Sequence, residues 1–166
     1  MTVTLVLGGA RSGKSRHAES QCSGDRHYVA TAQAFDEEMK ARIAKHQEDR
    51  GAAWVTHEVN HDLAGKLREI DGVGRVILVD CLTLWLSNMM LADEDWQGLS
   101  GVLAALLPAM SADVVLVSNE VGMGIVPETA LGRQFRDAQG VLNQRIAAVA
   151  DKVVFVAAGL PLVLKG

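Results

Sequence analysis

The sequence predicts an α/β fold: a mostly parallel sheet flanked by helices, in three layers. Two patterns and one motif predict it. Short β-branched apolar runs alternate with longer helical patterns, and glycine or polar turns separate them. The runs VILVD, VVLVS and VVFVA are apolar at nearly every position, as strands covered on both faces require. Between the first apolar run and the first helical pattern stands Gly8-Gly9-Ala10-Arg11-Ser12-Gly13-Lys14-Ser15, which matches G-x-x-x-x-G-K-[ST].

In chain order, strands are expected at Val3 to Leu7, His27 to Thr31, Trp54 to Glu58, Arg75 to Asp80, Val114 to Ser118 and Val153 to Ala157. No basic region precedes the first run and Gly8-Gly9 follows it too early for a secretory signal, so it reads as a strand. A helix is expected from Asp36 to about Asp49, its first turn carrying three acids beside the positive end of the helix dipole. The clearest helix runs from about Thr129 to Ala150, where Leu131, Phe135, Ala138, Leu142, Ile146 and Val149 recur at spacings of three and four. The stretch Leu91 to Gly101, with three acids and few periodic apolar positions, reads as the most loop-like.

The 166 residues make one domain, 1–166, at roughly 150 residues per domain. Aromatics are only 4% of the chain, so the interior must be built mainly from Val, Leu, Ile and Ala. A formal net charge of -4 gives no basic excess and argues against nucleic acid as a partner. The longest apolar stretches, Val102 to Met110 and Val153 to Leu164, each contain a proline and fall short of the roughly 20 residues of a membrane span. Cys22 and Cys81 make no disulfide framework and have no metal-ligand spacing, which suits a reducing cytoplasm.

The glycine-rich motif carries the first functional inference. Its glycines let successive backbone amides point at one anion, and the following helix adds its positive end. Lys14 would reach the β and γ phosphates of a nucleotide and Ser15 would hold Mg²⁺. Such a loop also expects an acid at the end of a neighbouring strand, near the metal, and Asp80 at the end of VILVD fits; the alternative is that Asp80 only caps a turn. Ser118, Asn119 and Glu120 end a third strand at the same carboxyl edge, where open α/β sheets bind ligands; Glu120 is either a supporting carboxylate or a loop acid.

On the helix from Asp36, Met39, Ile43 and His46 share one stripe at i, i+4 and i+7, and Arg50 continues it one turn later. An inward histidine is more often a hydrogen-bonded core residue than a catalyst. A buried stripe ending in His and Arg, however, needs anionic partners, which nucleotide phosphates would supply, and neutral imidazole is a competent phosphorus nucleophile.

Over essentially its whole length the chain resembles the bifunctional adenosylcobinamide kinase and adenosylcobinamide-phosphate guanylyltransferase family of cobalamin biosynthesis. The resemblance rests on GGARSGKSRHAE, YVATAQ, DEEMKARIAKHQEDR, VDCLTLWLSN and SNEVGMGIVPETALGRQFRDAQGVLNQRIA. It implies that ATP or GTP phosphorylates adenosylcobinamide. It further implies that GTP guanylylates an enzyme histidine, here His46, before GMP passes to adenosylcobinamide phosphate. Nucleotide contacts then fall on Gly8 to Ser15, on Thr31, Ala32 and Gln33, on Gln47, Glu48, Asp49 and Arg50, and on Glu58 and Asp80. A P-loop sheet of the recombinase-like kind and a homotrimer are also implied. The rival readings are a monofunctional P-loop kinase and a slow nucleotide-hydrolysing switch.

The remaining polar and aromatic residues have plainer expectations. His27, His57 and His61 lack partner spacing and read as solvated. Trp54, Trp85 and Trp96 suit core packing at least as well as ligand stacking, and Cys81 reads as a small buried residue.

Overall fold

A computed structural model describes residues 1–32 and 53–166. The strands are β1 (Val3–Gly8), β2 (Asp25–Ala30), β3 (Trp54–Glu58), β4 (Arg75–Asp80), β5 (Asp113–Asn119), β6 (Lys152–Ala157) and β7 (Leu160–Lys165). They form one seven-stranded sheet in the order β3-β2-β4-β5-β1-β6-β7, in which only β7 is antiparallel. The helices are α1 (Lys14–Ser20), α2 (Leu63–Ile70), α3 (Leu82–Leu91), α4 (Trp96–Leu106) and α5 (Ala130–Val149). The helix expected from Asp36 to Asp49 lies outside the described residues.

Alternation along each strand divides the core into two layers. Leu5, Leu7, Ile77, Val79, Val114 and Leu116 face α2 to α5, and pack there with Leu67, Trp85, Leu86, Leu103 and Leu142. Val6, Leu78, Val115, Val117 and Val156 face the other way, toward Ala18 of α1 and Cys22. Both sides of the central strands are therefore dry, which is why their sequences are continuously apolar. Truncating a fully buried Leu such as Leu116 to Ala would cost about 2–5 kcal/mol.

Three helices start on a shared device. Asp62, Asp95 and Thr129 each accept from the amide three residues on, at Gly65 (2.8 Å), Gly98 (3.0 Å) and Gly132 (3.0 Å). Each cap satisfies an orphan amide at its helix start. The cap at Asp95 corrects the expectation of a loop between Leu91 and Gly101: α3 runs to Leu91 and α4 begins at Trp96. Trp96, Leu99, Leu103 and Leu106 anchor α4 on the core at spacings of three and four, and Gly98 and Gly101 weaken that pattern locally.

Two strand assignments also shift. β2 begins at Asp25 and ends at Ala30, two residues before and one residue short of the expected bounds. The apolar stretch from Val153 to Leu164 is a hairpin rather than one run: it turns at Ala158 and Gly159, both at positive φ, and returns as β7. Pro161 is tolerated because β7 is an edge strand.

Candidate active site

Parallel register brings the expected site residues to one edge of the sheet. Gly8 pairs with Asn119, Asp80 with Ala30 and Val117, and Ala30 with Glu58. The phosphate loop, Asp80, Glu58 and Thr31-Ala32 thus gather at the carboxyl ends of β1, β4, β3 and β2. Gln33, His46, Gln47, Glu48, Asp49 and Arg50 lie outside the described residues.

The phosphate loop is shaped by close approach. A Cβ on Gly8 would collide with Ser12 Oγ and come within 2.7 Å of the Val156 carbonyl, so only glycine lets the loop fold over the strand. Gly13, at φ 90°, caps α1 in a conformation that L side chains resist, and its carbonyl accepts from the His17 amide at 3.0 Å. Lys14 Nζ donates to the Gly9 carbonyl at 3.0 Å, so the ammonium is already turned back across the loop. Gly9, Ala10 and Arg11 rim the loop, with Arg11 in the left-handed region at φ 53°. Ser12 Oγ is buried and has no hydrogen-bond partner among the described residues, a donor left for a ligand oxygen.

The loop is braced from the far end of the chain. Gly159, in the β6–β7 turn, donates its amide to the Ser12 carbonyl at 2.8 Å. A Cβ on Gly13 would come 3.2 Å from Gly159 Cα, so the two turns touch.

Thr31 holds the end of β4 through its hydroxyl. Thr31 Oγ1 donates to the Cys81 carbonyl at 2.7 Å and accepts from the Cys81 amide at 2.8 Å; the Asp80–Cys81 peptide is cis. Asn88 of α3 then donates through Nδ2 to the carbonyls of Thr31 (2.8 Å) and Asn60 (3.0 Å), tying the ends of β2 and β3 together. Thr31 is fully buried, so its hydroxyl orients the turn that carries Asp80. The Cys81 thiol is pushed up to about 11, mainly by burial and then by the neighbouring Asp80, and is no nucleophile. Cys22 rises to about 12, through burial and Glu19, partly opposed by Arg26.

A second polar cluster fixes the end of β5. Ser118 Oγ donates to Asn143 Oδ1 (2.7 Å), Gln139 Nε2 donates to both (3.0 and 2.9 Å), and Asn143 Nδ2 donates to the Asn119 carbonyl (3.0 Å). The Asn119 amide donates to Thr83 Oγ1 at 2.8 Å and the Glu120 amide to the Gly8 carbonyl at 3.0 Å. Glu120 itself is a loop carboxylate, accepting from the amides of Gly122 (2.7 Å) and Met123 (3.1 Å).

The histidines expected to be solvated are engaged instead. His27 is buried, its Nδ1 lies 3.0 Å from His57 Nε2, and the rings stack with centroids 5.2 Å apart. His61 Nδ1 lies 2.8 Å from Glu94 Oε1. The cause is register: β2 and β3 put His27 and His57 on one sheet face beneath α2, which one-dimensional spacing does not show. Of the two readings left open for Trp85 the structure shows core packing, with its indole donating to the His61 carbonyl at 2.7 Å. No helix among the described residues is long and apolar enough to cross a membrane.

Comparison with known proteins adds the following. The family model described as cobinamide kinase / cobinamide phosphate guanyltransferase matches residues 4–164. The bifunctional adenosylcobalamin biosynthesis protein CobP of Pseudomonas aeruginosa is 49% identical, over 98% of this chain and 96% of its own length. The bifunctional adenosylcobalamin biosynthesis protein CobU of Salmonella typhimurium is 42% identical, over 97% of this chain and 98% of its own. Among solved structures, a protein of Pyrococcus horikoshii OT3 superposes with a TM-score of 0.56 at 6% identity, covering 99% of this chain and 86% of that one. The P4 protein of bacteriophage phi13 gives 0.51 at 13% identity over 97% of this chain, which spans about half, 53%, of that protein. These two likenesses concern the fold alone.

Proposed function

The chain belongs to the cobinamide kinase / cobinamide phosphate guanyltransferase family, and from that premise we propose that it phosphorylates adenosylcobinamide with ATP or GTP and then joins GMP to the product. The observation that supports this most directly is that the phosphate loop and Asp80, two strands apart, open on one carboxyl edge of the sheet, with Glu58 farther along that edge, in a chain matched to the family over residues 4–164.

In the kinase step the acceptor hydroxyl forms a P–O bond to the terminal phosphorus as the bond to the leaving diphosphate breaks. The loop amides and Lys14 Nζ, released from the Gly9 carbonyl, stabilise the charge spread over the transferred group. The Ser15 hydroxyl and the Asp80 carboxylate are the hard oxygen donors that suit Mg²⁺. When bound with the nucleotide, Mg²⁺ neutralises phosphate charge. Ser12 Oγ, buried and without a partner among the described residues, supplies one more donor to a phosphate oxygen.

In the transferase step His46 attacks the α phosphorus of GTP, forming a P–N bond as the bond to pyrophosphate breaks. An oxygen of adenosylcobinamide phosphate then displaces the histidine, giving adenosylcobinamide-GDP. Splitting the displacement in two lets pyrophosphate leave before the large acceptor enters. Gln33, Gln47, Glu48, Asp49 and Arg50, with Ala32 and Glu58, complete the nucleotide contacts, and Thr31 contributes by orienting Asp80. A homotrimer in a reducing cytoplasm is the setting we assign; the two buried, unpaired thiols fit that compartment.

Supplying adenosylcobinamide, ATP, GTP and Mg²⁺ should yield both the phosphate and the GDP products. GTP labelled in its α phosphate should leave an acid-labile, base-stable label on the protein. His46→Asn should abolish that label and the GDP product while phosphate formation continues; a label that survives the substitution refutes the assignment.

A further inference from the structure

The loop between β5 and α5 presents the most exposed apolar side chain of the described residues, Ile125 at 97%, beside Met123 at 78% and Val126 at 59%. Single exposed apolar residues are ordinary, but a cluster on a well-held loop marks a binding surface. This loop is well held. Besides the two amides that Glu120 accepts, Arg133 Nη1 donates to the carbonyls of Pro127 (3.0 Å) and Glu128 (2.8 Å), and Thr129 caps α5. Beside the start of α5, Met90, Leu131 and Phe135 line an apolar cavity of about 280 Å³.

The position of this surface identifies what it holds. Gln139 and Asn143 are bonded to Ser118 and to the Asn119 carbonyl at the end of β5, so the first turns of α5, before Gln139, lie toward the loop that leaves that strand end. The root of the loop is bonded to the phosphate loop, Glu120 amide to Gly8 carbonyl at 3.0 Å. The apolar loop therefore starts at the site of phosphoryl transfer. The other exposed apolar strip, on β7, starts beside that site but runs away from it with its antiparallel strand.

A cobinamide acceptor must bring a hydroxyl, carried on a short flexible arm, to a phosphorus in the phosphate loop. Its macrocycle carries methyl groups among its peripheral amide side chains, so its methyl-bearing surface suits an apolar support beside the phosphate loop. Resting on the acceptor assigned above, we propose that Met123, Ile125 and Val126, with the cavity formed by Met90, Leu131 and Phe135, seat the corrin macrocycle. The arm then runs back past Glu120 to the phosphate loop.

The test is the full-length Ile125→Ser/Val126→Ser variant, with Met123→Gln as a milder second. Both alter exposed side chains and leave the core intact. The KM for adenosylcobinamide should rise at least tenfold, and cobinamide binding at equilibrium should weaken by the same factor. GTP binding and native particle mass should stay unchanged. An unaltered cobinamide KM in both variants overturns the proposal, as does lost GTP binding, which would make the loop part of the nucleotide site. A changed particle mass overturns it too, since the patch would then join copies of the chain. A wild-type enzyme that converts no cobinamide overturns the functional reading itself, and the occupant proposed here with it; an active wild type with indifferent variants overturns only the seat.

Discussion

The amide of Gly159 donates to the carbonyl of Ser12 across 2.8 Å, so the turn between the last two strands braces the phosphate loop formed after the first. Gly159 stands at φ 77°, where any L side chain is strained by about 1–2 kcal/mol and a β-branched one by more. Relief of that strain would move the turn and release Ser12. We expect Gly159→Val to raise the KM for nucleotide at least tenfold in both reactions while the KM for cobinamide stays near wild type. Steady-state kinetics with each substrate varied in turn, well below the melting temperature, checks the split. A uniform loss of kcat without a change in nucleotide KM would contradict a bracing role.

Asn88 spans two strand ends, and its loss should be felt at both. Its side chain is buried and serves the carbonyls of Thr31 and Asn60. Asn88→Ala leaves the buried Thr31 carbonyl and the part-buried carbonyl of the exposed Asn60 without this donor; a buried unsatisfied group costs about 1–3 kcal/mol and a solvent-reachable one less. Chemical denaturation should therefore show a loss of about 2–4 kcal/mol with an unchanged m-value. Because Thr31 in turn holds Cys81, the turn bearing Asp80 should loosen, and Mg²⁺-dependent nucleotide binding should weaken with it.

Asp80 sits at the surface end of a buried strand, and removing its charge should affect chemistry more than stability. Asp80→Asn preserves shape but weakens a hard-oxygen ligand. The expected result is a fall in kcat of about a hundredfold or more, with the Mg²⁺ concentration for half-maximal rate shifted upward and a melting temperature near wild type. If Asp80 only caps its turn, the rate and the Mg²⁺ dependence will stay put.

Much of this site was legible in the sequence because its residues are tied to strand ends. The motif from Gly8 to Ser15 directly follows an apolar run, and Asp80 ends another, so the parallel register that brings them together follows from the α/β pattern. What escaped the sequence are contacts between distant positions. Gly159 reads as an ordinary turn glycine until the hairpin returns it to Ser12, and Asn88 looks like one polar residue in an apolar helix until it meets the ends of β2 and β3. Helix α4 escaped for a local reason: its acidic cap and two glycines interrupt the stripe of Trp96, Leu99 and Leu103 that anchors it. The signal that could have found it is the Asp95-x-x-Gly98 cap, which repeats the Asp62-x-x-Gly65 pattern before α2.

The paired histidines predict a sensitivity to acid that begins at the edge of the sheet. His57 is held below the usual histidine range, first by desolvation, then by His27 and Lys66, with Glu69 opposing and Arg75 adding the smallest part. On the other side of the pair Asp25 lies 3.5 Å from His27 Nε2 and 3.3 Å from Arg75 Nε. A depressed folded value means that the unfolded chain takes up the proton first as pH falls. The stability contributed by the neutral ring is thus complete above about pH 6.5 and is lost as pH drops through and below that value. A proton on His57 would also set a cation against the His27 ring at hydrogen-bond distance, weakening the pairing of β3, the strand that carries Glu58. The drop in melting temperature from pH 7.5 to 5.5 should be smaller in His57→Gln, which keeps a hydrogen-bonding group but no titratable ring. Amide exchange across β3 should accelerate at the lower pH in the wild type and stay level in the variant; equal acid sensitivity in the two proteins would place the titration elsewhere.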